Sequence, residues 1–384
     1  MWPYYDDQDI KVVSEILRSG KVNYWTGNNC KLFEDSFSKY IGCKHSIALA
    51  NGSFALTAAY KSIGLKSGDE LITTPRTFLA TASTAVLLGI KPVFADIEKD
   101  SGAIDPDNIE SLITKKTKAI SVVHLGGWPA QIQKIKELAS SYNLKLIEDC
   151  SQAHGAKFYG RNVGTFGDVA TWSFCQDKII STGGEGGMLS TNNESIWKYA
   201  LSFKDHGKNF DTLSSDKSNF GFKWIHDAIG TNMRLTEMQS AIGINQLKKL
   251  DSWIELREKN ALILYKSLKE CSSLRIPMPS NDIKNAWYRF YCYLKPNSLL
   301  SDWNRERIIM EIKNLDVDVF SGSCSEIYLE KCFQKLGYAP MERLRNAKEL
   351  GETSLAFLVH PTISDVEQNK KAQLIKSVIN KASR

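Results

Sequence analysis

The chain has 384 residues, 24% of them charged, and a formal net charge of +6. A chain of this length is too long for one compact core, so we expect two domains that share an interface. No uninterrupted apolar segment is long enough to span a membrane, and the lysines are scattered among acids, so the sequence indicates neither a membrane protein nor a nucleic-acid-binding surface.

The eight cysteines form no C-x-x-C pair and no paired spacing with histidines. The sequence therefore indicates neither a zinc site nor a disulfide framework, and we expect no metal. The first residues lack the basic and apolar regions of a signal peptide. Reduced thiols in the cytoplasm fit these features best.

The first 45 residues are predicted to form an arm and two helices. Apolar side chains recur with helical spacing over residues 9–17 and again over 32–40. Between them, residues 19–27 interrupt the pattern with glycines and with the aromatic pair Tyr24 and Trp25.

Residues 46–143 alternate between short apolar runs and helical patterns. Such alternation specifies a mostly parallel sheet with helices on both faces. Strands are predicted at 46–50, 71–74, 92–96 and 119–124, and helices at 54–63 and 132–140.

Residues 51–53, Asn-Gly-Ser, connect the first of these strands to its helix. Free backbone N–H groups at the positive end of a helix dipole attract anions, so Gly52 and Ser53 are candidates for an anion site. A simple helix cap is the alternative interpretation.

Two further strands bring an acid, a hydroxyl and an amine to one edge of the predicted sheet. The apolar run 144–148 ends at Asp149, and the strand at 168–174 contains Ser173 and precedes Lys178. Because open α/β sheets bind ligands at the carboxyl ends of their strands, we expect these three side chains to lie together.

These residue types suit pyridoxal phosphate (PLP), which is bound through a lysine Schiff base with an acidic partner on its pyridinium nitrogen. Asp149 would keep that nitrogen protonated, and Ser173 would offer a hydroxyl to the phosphate. The glycine-rich run 183–187 would let the backbone pass close to the flat cofactor. Taken singly, an Asp such as Asp149 is more often a turn or helix-cap residue and a Lys such as Lys178 a solvated charge. Here, however, the groups occur together and in order on a βαβ background.

The C-terminal part is predicted to begin with a long bridging helix. Its helical pattern runs over 235–268, strands follow at 287–294 and 354–361, and residues 321–328 form a polar loop. We place a PLP-binding large domain with its N-terminal arm at residues 1–248 and a smaller domain at 249–384.

The run from Ser173-Phe174 through Lys178 to Gly183-Gly184-Glu185-Gly186-Gly187 resembles the lysine signature of the DegT/DnrJ/EryC1/StrS family of sugar aminotransferases. The resemblance extends from about residue 2 to about residue 375. It implies an α/β, aspartate-aminotransferase-like fold (fold type I) with a mostly parallel sheet between helices and a smaller C-terminal α+β domain. It also implies PLP as cofactor and a nucleotide-linked keto sugar as substrate.

The resemblance assigns further cofactor-binding residues. Gly52 and Ser53 would bind the phosphate, Phe78 would stack on the ring, and Gln152 would lie beside the phenolic oxygen. A core phenylalanine is the competing interpretation of Phe78. His154 is interpreted as structural.

The cluster 230–234, Gly-Thr-Asn-Met-Arg, resembles a loop that crosses a dimer interface in this family. The resemblance implies that Asn232 reaches the phosphate in the partner's site. A twofold homodimer would then be required for function.

Candidate substrate-binding residues also follow from the resemblance. Tyr24 and Trp25 would line the sugar site, although pinning the arm to the surface is an equal alternative. Ser321 and Ser323 lie in the loop that would close over the nucleotide sugar, or are simple turn residues. His360 is as readily a core or surface residue as a neighbour of the site.

The implied reaction moves an amino group from L-glutamate to a keto sugar, with Lys178 and Asp149 as the catalytic residues. The spacer from Lys178 to Gly187 resembles the branch that acts at C4 of 4-keto-6-deoxy sugars. We favour dTDP-4-keto-6-deoxyglucose, giving dTDP-4-amino-4,6-dideoxyglucose for O-antigen or related glycan biosynthesis, over a GDP-perosamine-type synthase.

Three other functions are kept as alternatives. They are a C3 keto-sugar aminotransferase, a PLP-binding regulatory protein, and a dehydratase of the same fold. In the dehydratase branch a histidine replaces the lysine, so Lys178 argues against it.

Overall fold

The computed structural model describes residues 1–210, 212 and 224–384. The strands of its first part are β1 (His45–Leu49), β2 (Glu70–Thr73), β3 (Lys91–Phe94), β4 (Thr117–Val123), β5 (Lys145–Asp149), β6 (Lys157–Phe158), β7 (Arg161–Asn162), β8 (Val169–Ser173) and β9 (Gly187–Thr191). Within these residues, seven strands form one sheet in the order β1-β9-β8-β5-β4-β2-β3.

The large sheet is mostly parallel, as predicted. Parallel pairing joins β3 to β2, β2 to β4, β4 to β5 and β5 to β8. Strand β9, which was not predicted, runs antiparallel to both of its neighbours, β1 and β8. It arises because the chain turns back on itself after β8 through residues 174–186.

Helices cover this sheet and have recognisable start signals. Asn51 accepts a hydrogen bond from the backbone N–H of Phe54, and Thr236 forms a capping box with Gln239. The helices are α1 (Asp7–Ser19), α2 (Asn29–Ile41), α3 (Gly52–Ser62), α4 (Ala80–Leu87), α5 (Ile132–Ser141), α6 (Glu194–Phe203) and α7 (Glu237–Leu268). None of the helices in the described ranges combines the length and apolar character needed for a membrane crossing.

The C-terminal part has its own antiparallel sheet, in the order β10-β12-β14-β13. Its strands and helices are β10 (Leu274–Arg275), β11 (Ile283–Lys284), β12 (Phe290–Leu294), α8 (Arg305–Lys313), β13 (Val319–Phe320), α9 (Lys331–Lys335), α10 (Arg345–Thr353), β14 (Ser354–Phe357) and α11 (Asp365–Ala382). Strand β11 instead pairs with β6, which also pairs with β7. Short 3₁₀ turns lie at Pro106–Asn108, Glu110–Leu112, Leu125–Gly127, Pro296–Ser298 and Ile327–Leu329.

Helix α7 connects the two parts. It packs against α1 and α2 at one end and against α11 at the other. Its last turns supply Leu264 and Leu268 to a separate apolar core that also contains Phe290 and Phe357. The division predicted between residues 248 and 249 falls inside this continuous helix and stays a prediction.

The strand predicted at 287–294 begins only at Phe290. Trp287 has a φ of 48°, in the left-handed region, so the preceding segment leaves the sheet. Tyr288 donates its backbone N–H to Gly126 at 2.9 Å, which ties the segment to the turn after β4. Strand β14 likewise ends at Phe357, before the predicted end at 361.

Glu148, at the end of β5, is a buried hydrogen-bonding centre. Its oxygens accept the backbone N–H groups of Gly164, Phe166 and Gly167 at 2.7–2.8 Å. They also accept Nε2–H of His124 at 3.1 Å, since His124 Nδ1 accepts from the backbone of Ala130. Burial favours the neutral acid, but these hydrogen bonds, led by that of His124, outweigh it and lower the pKa of Glu148.

The same centre contains a possible set of metal ligands. The ligand atoms of His124, Glu148 and Cys150 lie within 4.8 Å of one another and all three residues are buried. However, the hydrogen bonds above already use both nitrogens of His124 and both oxygens of Glu148. We therefore interpret the cluster as the brace that holds the 164–167 turn against β5.

We predict that Glu148→Gln lowers the free energy of unfolding by about 2–5 kcal/mol, because an amide would leave buried N–H donors unpaired. Urea denaturation measures the change. Glu255→Gln, at an exposed position, is the matched control and should stay within about 0.5 kcal/mol of the parent. Equal effects of the two substitutions would contradict the structural role of Glu148.

Candidate active site

The carboxyl ends of β1, β2, β5 and β8 meet at one edge of the large sheet. A cavity of about 370 Å³ lies there. It is lined by the candidates from all four strand ends, namely Gly52, Ser53, Phe78, Asp149, Gln152, Ser173 and Lys178. The structure therefore brings together these seven predicted site residues.

One end of this cavity is suited to an anion. Gly52 and Ser53 begin α3, so their backbone N–H groups lie at the positive end of the helix. A Cβ atom at Gly52 would lie 2.8 Å from Cβ of Ser173. Only glycine therefore lets the helix start approach the Ser173 hydroxyl this closely.

Asp149 is held in a defined orientation inside the cavity. It is 4% exposed, and Oδ2 accepts a hydrogen bond from Oγ1 of Thr81 at 2.8 Å. Oδ1 accepts the backbone N–H of Ser151 at 3.1 Å. Thr77 supports Thr81 in turn, with 3.0 Å between their hydroxyl oxygens. A carboxylate fixed in this way can accept a hydrogen bond from a protonated nitrogen of a ligand.

The polar and aromatic walls of the cavity come from Gln152 and Phe78. Gln152 accepts the backbone N–H of Gly126 at 2.8 Å through Oε1, which leaves its amide –NH₂ to donate into the cavity. Phe78 is 71% exposed and lines the cavity, so it is not a core residue. Its ring offers a flat apolar surface to a ligand.

Lys178 is largely buried, with its side chain 14% exposed. Its Nζ lies 3.4 Å from Oδ1 of Asp177 and 5.1 Å from the ring centroid of Tyr288, whose hydroxyl donates to Asp177. Burial opposes the charge on the ammonium group, but Tyr288 and Asp177 outweigh it and raise the pKa of Lys178.

A second cavity, of about 480 Å³, adjoins the first at Lys178. Both cavities are lined by Lys178, Asp177 and Gln152, and the second is closed by the C-terminal part through Tyr288 and Ser323. Ser323 lies 3.1 Å from the hydroxyl of Tyr291. The amine of Lys178 thus lies where two ligands could meet.

Three predicted substrate-binding residues do not line either cavity of their own chain. Tyr24 is 5% exposed, and its hydroxyl donates to Glu34 at 3.3 Å. Trp25 stacks on Phe210 with 6.0 Å between ring centroids. Ser321 contributes its carbonyl as an acceptor for the hydroxyl of Ser354.

Asn232 lies on the exposed loop before α7 and also outside both cavities. Its side-chain oxygen accepts the backbone N–H of Arg234 at 3.2 Å, and its backbone bridges to Asp205. The exposed position leaves it accessible to a second copy of the chain. Its assignment to a partner's site stays a prediction.

The two histidines near the site are both held neutral. His154 is fully buried against Trp172 and Phe174. Burial, followed by the charges of Lys178 and Arg257, lowers its pKa to about 3. Burial also lowers the pKa of His360 to about 3. Neither is suited to carry a proton at neutral pH, which agrees with a structural interpretation of His154.

The glycine run combines unusual backbone conformations with close backbone packing, and its Glu185 lines the first cavity. Gly183 and Gly184 have φ values of 84° and 121°, which favour glycine. A Cβ at Gly187 would lie 2.3 Å from the carbonyl oxygen of Asn51. The run therefore lets the hairpin before β9 pack against the turn that presents Gly52.

Sequence reasoning missed Asp177, Thr81 and Tyr288. Asp177 directly precedes Lys178, and Thr81 follows Phe78 by three positions. Closeness in sequence to a predicted site residue could therefore have identified both. Tyr288 had no such signal, because it reaches the cavity only through the departure of its segment from the strand.

Comparison with known proteins identifies the family. The model of the DegT/DnrJ/EryC1/StrS aminotransferase family matches residues 3–376. The GDP-perosamine synthase of Escherichia coli O157:H7 is 35% identical over 74% of this chain and 75% of its own length.

Two solved structures are similar over nearly the whole chain. An aminotransferase from Psychrobacter cryohalolentis is 43% identical, with a TM-score of 0.97 over 100% of this chain and 99% of its own. The ntda protein of Bacillus subtilis, solved with bound cofactor PMP, is 25% identical, with a TM-score of 0.85 over 97% of this chain and 82% of its own.

The chain belongs to the DegT/DnrJ/EryC1/StrS aminotransferase family. It has the fold of the fold-type-I PLP aminotransferases and is a PLP-dependent enzyme of the transaminase class. The predicted family, fold class and cofactor are confirmed. The findings also support a nucleotide sugar as the substrate class.

We predict that Asp177→Asn lowers the pKa of Lys178, because it removes an anion 3.4 Å from the amine. Covalent capture of PLP requires the neutral amine, so the pH profile of capture by the cofactor-free protein should shift toward lower pH. Borohydride trapping followed by intact-mass measurement at each pH gives the capture rate.

Asp35→Asn removes the same charge from an exposed position and is the matched control, for which the profile should not move. An unchanged profile for Asp177→Asn would show that Asp177 does not set the protonation of Lys178.

Proposed function

We propose that this aminotransferase transfers the amino group of L-glutamate to the keto carbon of a sugar carried on a nucleoside diphosphate. The observation that carries the proposal is the position of Lys178 at the junction of two cavities. One cavity has the groups that suit PLP, and the other leaves room for a keto sugar. The relative named GDP-perosamine synthase supports the substrate class.

The first cavity fits the cofactor group by group. Gly52, Ser53 and Ser173 would hold the phosphate, and Asp149 would pair with the ring nitrogen. Phe78 would cover one face of the ring, and the amide –NH₂ of Gln152 would donate to its phenolic oxygen. When bound, the cofactor supplies an aldehyde and an electron-withdrawing ring.

Lys178 would act first as the attachment point and then as the acid–base group. Its free amine would accept the proton of the amino-bearing carbon of L-glutamate and hold it at Nζ. With the keto sugar the same amine would move a proton in the opposite direction. Asp177 and Tyr288 would keep Nζ in position through both steps, since they contact it directly or through one hydrogen bond.

We propose C4 of a 4-keto-6-deoxy sugar as the site of amination. The comparisons do not favour dTDP-4-keto-6-deoxyglucose over a GDP-linked acceptor. The relative from Escherichia coli is named GDP-perosamine synthase, so a GDP-linked sugar is at least as well supported. The product would enter O-antigen or related glycan biosynthesis. We place the enzyme in the cytoplasm, where its free cysteines would stay reduced.

We further propose that the active enzyme is a homodimer in which Asn232 completes the partner's phosphate site. The exposed loop and the absence of Asn232 from its own chain's cavities, within the described ranges, support this proposal.

The substrate prediction is tested with L-glutamate and three acceptors: dTDP-4-keto-6-deoxyglucose, GDP-4-keto-6-deoxymannose and a 3-keto nucleotide sugar. We expect amination of a 4-keto acceptor, with NMR placing the new C–N bond at C4. Lys178→Ala should abolish turnover while its circular dichroism spectrum stays that of the parent. Exclusive amination at C3 would contradict the proposed position, and turnover by Lys178→Ala would contradict the role of Lys178.

The dimer prediction is tested by mixing two inactive variants. Asn232→Asp would place a negative charge against the partner's phosphate, and Lys178→Ala removes the amine. If the sites are shared, a mixed dimer has one site with both native residues, so a random mixture should recover about a quarter of the parent activity.

Differently tagged chains, copurified through both tags, confirm that mixed dimers have formed. Copurified mixed dimers without activity would show that Asn232 acts within its own chain, and turnover by Asn232→Asp alone would show that Asn232 has no role in the phosphate site.

A further inference from the structure

A third cavity, of about 390 Å³, adjoins the second one on the side away from the cofactor groups. Asp177, Tyr288, Arg289 and Phe320 line both cavities and form the passage between them. Lys178 does not line the third cavity, and Arg257 lines the third but not the second. The second cavity thus adjoins both others, with Lys178 at its junction with the first cavity and Asp177 lining all three.

Arg257 is a buried cation in the wall of the third cavity. It is 2% exposed, and its Nη1 donates hydrogen bonds to the carbonyl oxygens of Trp287 and Tyr288, at 3.3 and 3.5 Å. Nε is buried without a partner. Burial, together with the nearby charge of Arg289, lowers the pKa of Arg257 to about 9. Its positive charge thus has no compensating anion among the described residues.

Arg289 adds a second cation where the second and third cavities join. Its guanidinium carbon lies 5.0 Å from the ring centroid of Tyr288 and 5.2 Å from that of Phe320. Across the described ranges, no carboxylate lies within ion-pair distance of this guanidinium. Asp177 is the acid in the wall of the third cavity, and it is already engaged by Lys178 and Tyr288.

Two arginines facing one cavity without carboxylate partners suit an anionic ligand. A buried cation costs free energy unless an anion or strong hydrogen bonds compensate it. Guanidinium groups match the oxygens of phosphates with paired N–H donors. The guanidinium carbon of Arg257 also lies 4.8 Å from the ring centroid of Trp2, so Trp2 and Phe320 each support one of the two arginines in the cavity wall.

We propose that Arg257 and Arg289 bind the diphosphate of the nucleotide-linked sugar. The sugar then lies beside Lys178 in the second cavity, and the nucleoside extends into the third. This inference rests on the proposed function, because it assigns the parts of that substrate to successive cavities.

A diphosphate suits this site better than the carboxylates of the amino donor. The α-carboxylate of a donor is attached to the carbon that bears its amino group, so it stays beside Lys178. Arg257 contacts only the third cavity, beyond Tyr288. Two guanidinium charges also match a diphosphate more closely than a single carboxylate.

The test measures binding of GDP and of dTDP to the PLP-loaded enzyme by isothermal titration calorimetry. Arg289→Gln should raise the dissociation constant of the nucleotide that the parent binds by about tenfold or more, and Arg289→Lys should recover part of the loss. Arg257→Lys is the second variant, and its thermal unfolding is recorded because the residue is buried. Arg307→Gln removes a surface arginine charge and is the matched control.

The outcomes separate this inference from the function on which it rests. If the parent binds neither GDP nor dTDP, the proposed GDP- or dTDP-linked substrate is wrong. If the parent binds one and the folded Arg289 and Arg257 variants bind it equally well, the diphosphate site is wrong and the function stands. If the variants instead raise only the L-glutamate concentration needed for half-maximal donor reaction, the arginines bind the donor carboxylate, which also overturns the inference.

Discussion

The pairing of β5 with β4 and β8 is the constraint on which the site depends. Asp149 is in register with Val123 on one side and Thr171 on the other, so its backbone cannot shift without breaking both ladders. Successive side chains of a strand point to opposite faces. Glu148 therefore turns toward the buried 164–167 brace while Asp149 turns toward the cavity. One strand end thus anchors the fold with one acid and presents the next acid to the ligand.

The charges of the site follow from that geometry in a regular order. The helix start at Gly52 attracts an anion, and the carboxylate of Asp149 suits a protonated nitrogen. The amine of Lys178 lies against Asp177, and two arginines follow beyond Tyr288. Positive and negative groups thus alternate from the phosphate end of the first cavity to the end of the third. This alternation of charges can orient a long ligand that has charged groups at matching positions.

The parts of the molecule that follow from local sequence patterns were predictable. The parallel strands, their connecting helices and the residues at their carboxyl ends obey periodicity and topology, which is why Asp149, Ser173 and Lys178 could be placed together. Strand β9 escaped prediction because it begins inside a glycine run that reads as a loop. The surroundings of Tyr24 were equally hidden, since this turn residue meets Glu34 of α2 through tertiary packing rather than through sequence spacing.

The segment 287–289 shows why such failures concentrate near the site. Its alternation is that of a strand, yet the left-handed conformation of Trp287 and the hydrogen bond from Tyr288 to Gly126 pull it out of the sheet. A strand would have paired these residues with a neighbour and kept them from the cavities. The departure instead places Tyr288 against Lys178 and Arg289 at the passage to the third cavity. In this segment long-range contacts prevent the strand that the local pattern predicts, and the residues that leave the strand are those that line the cavities.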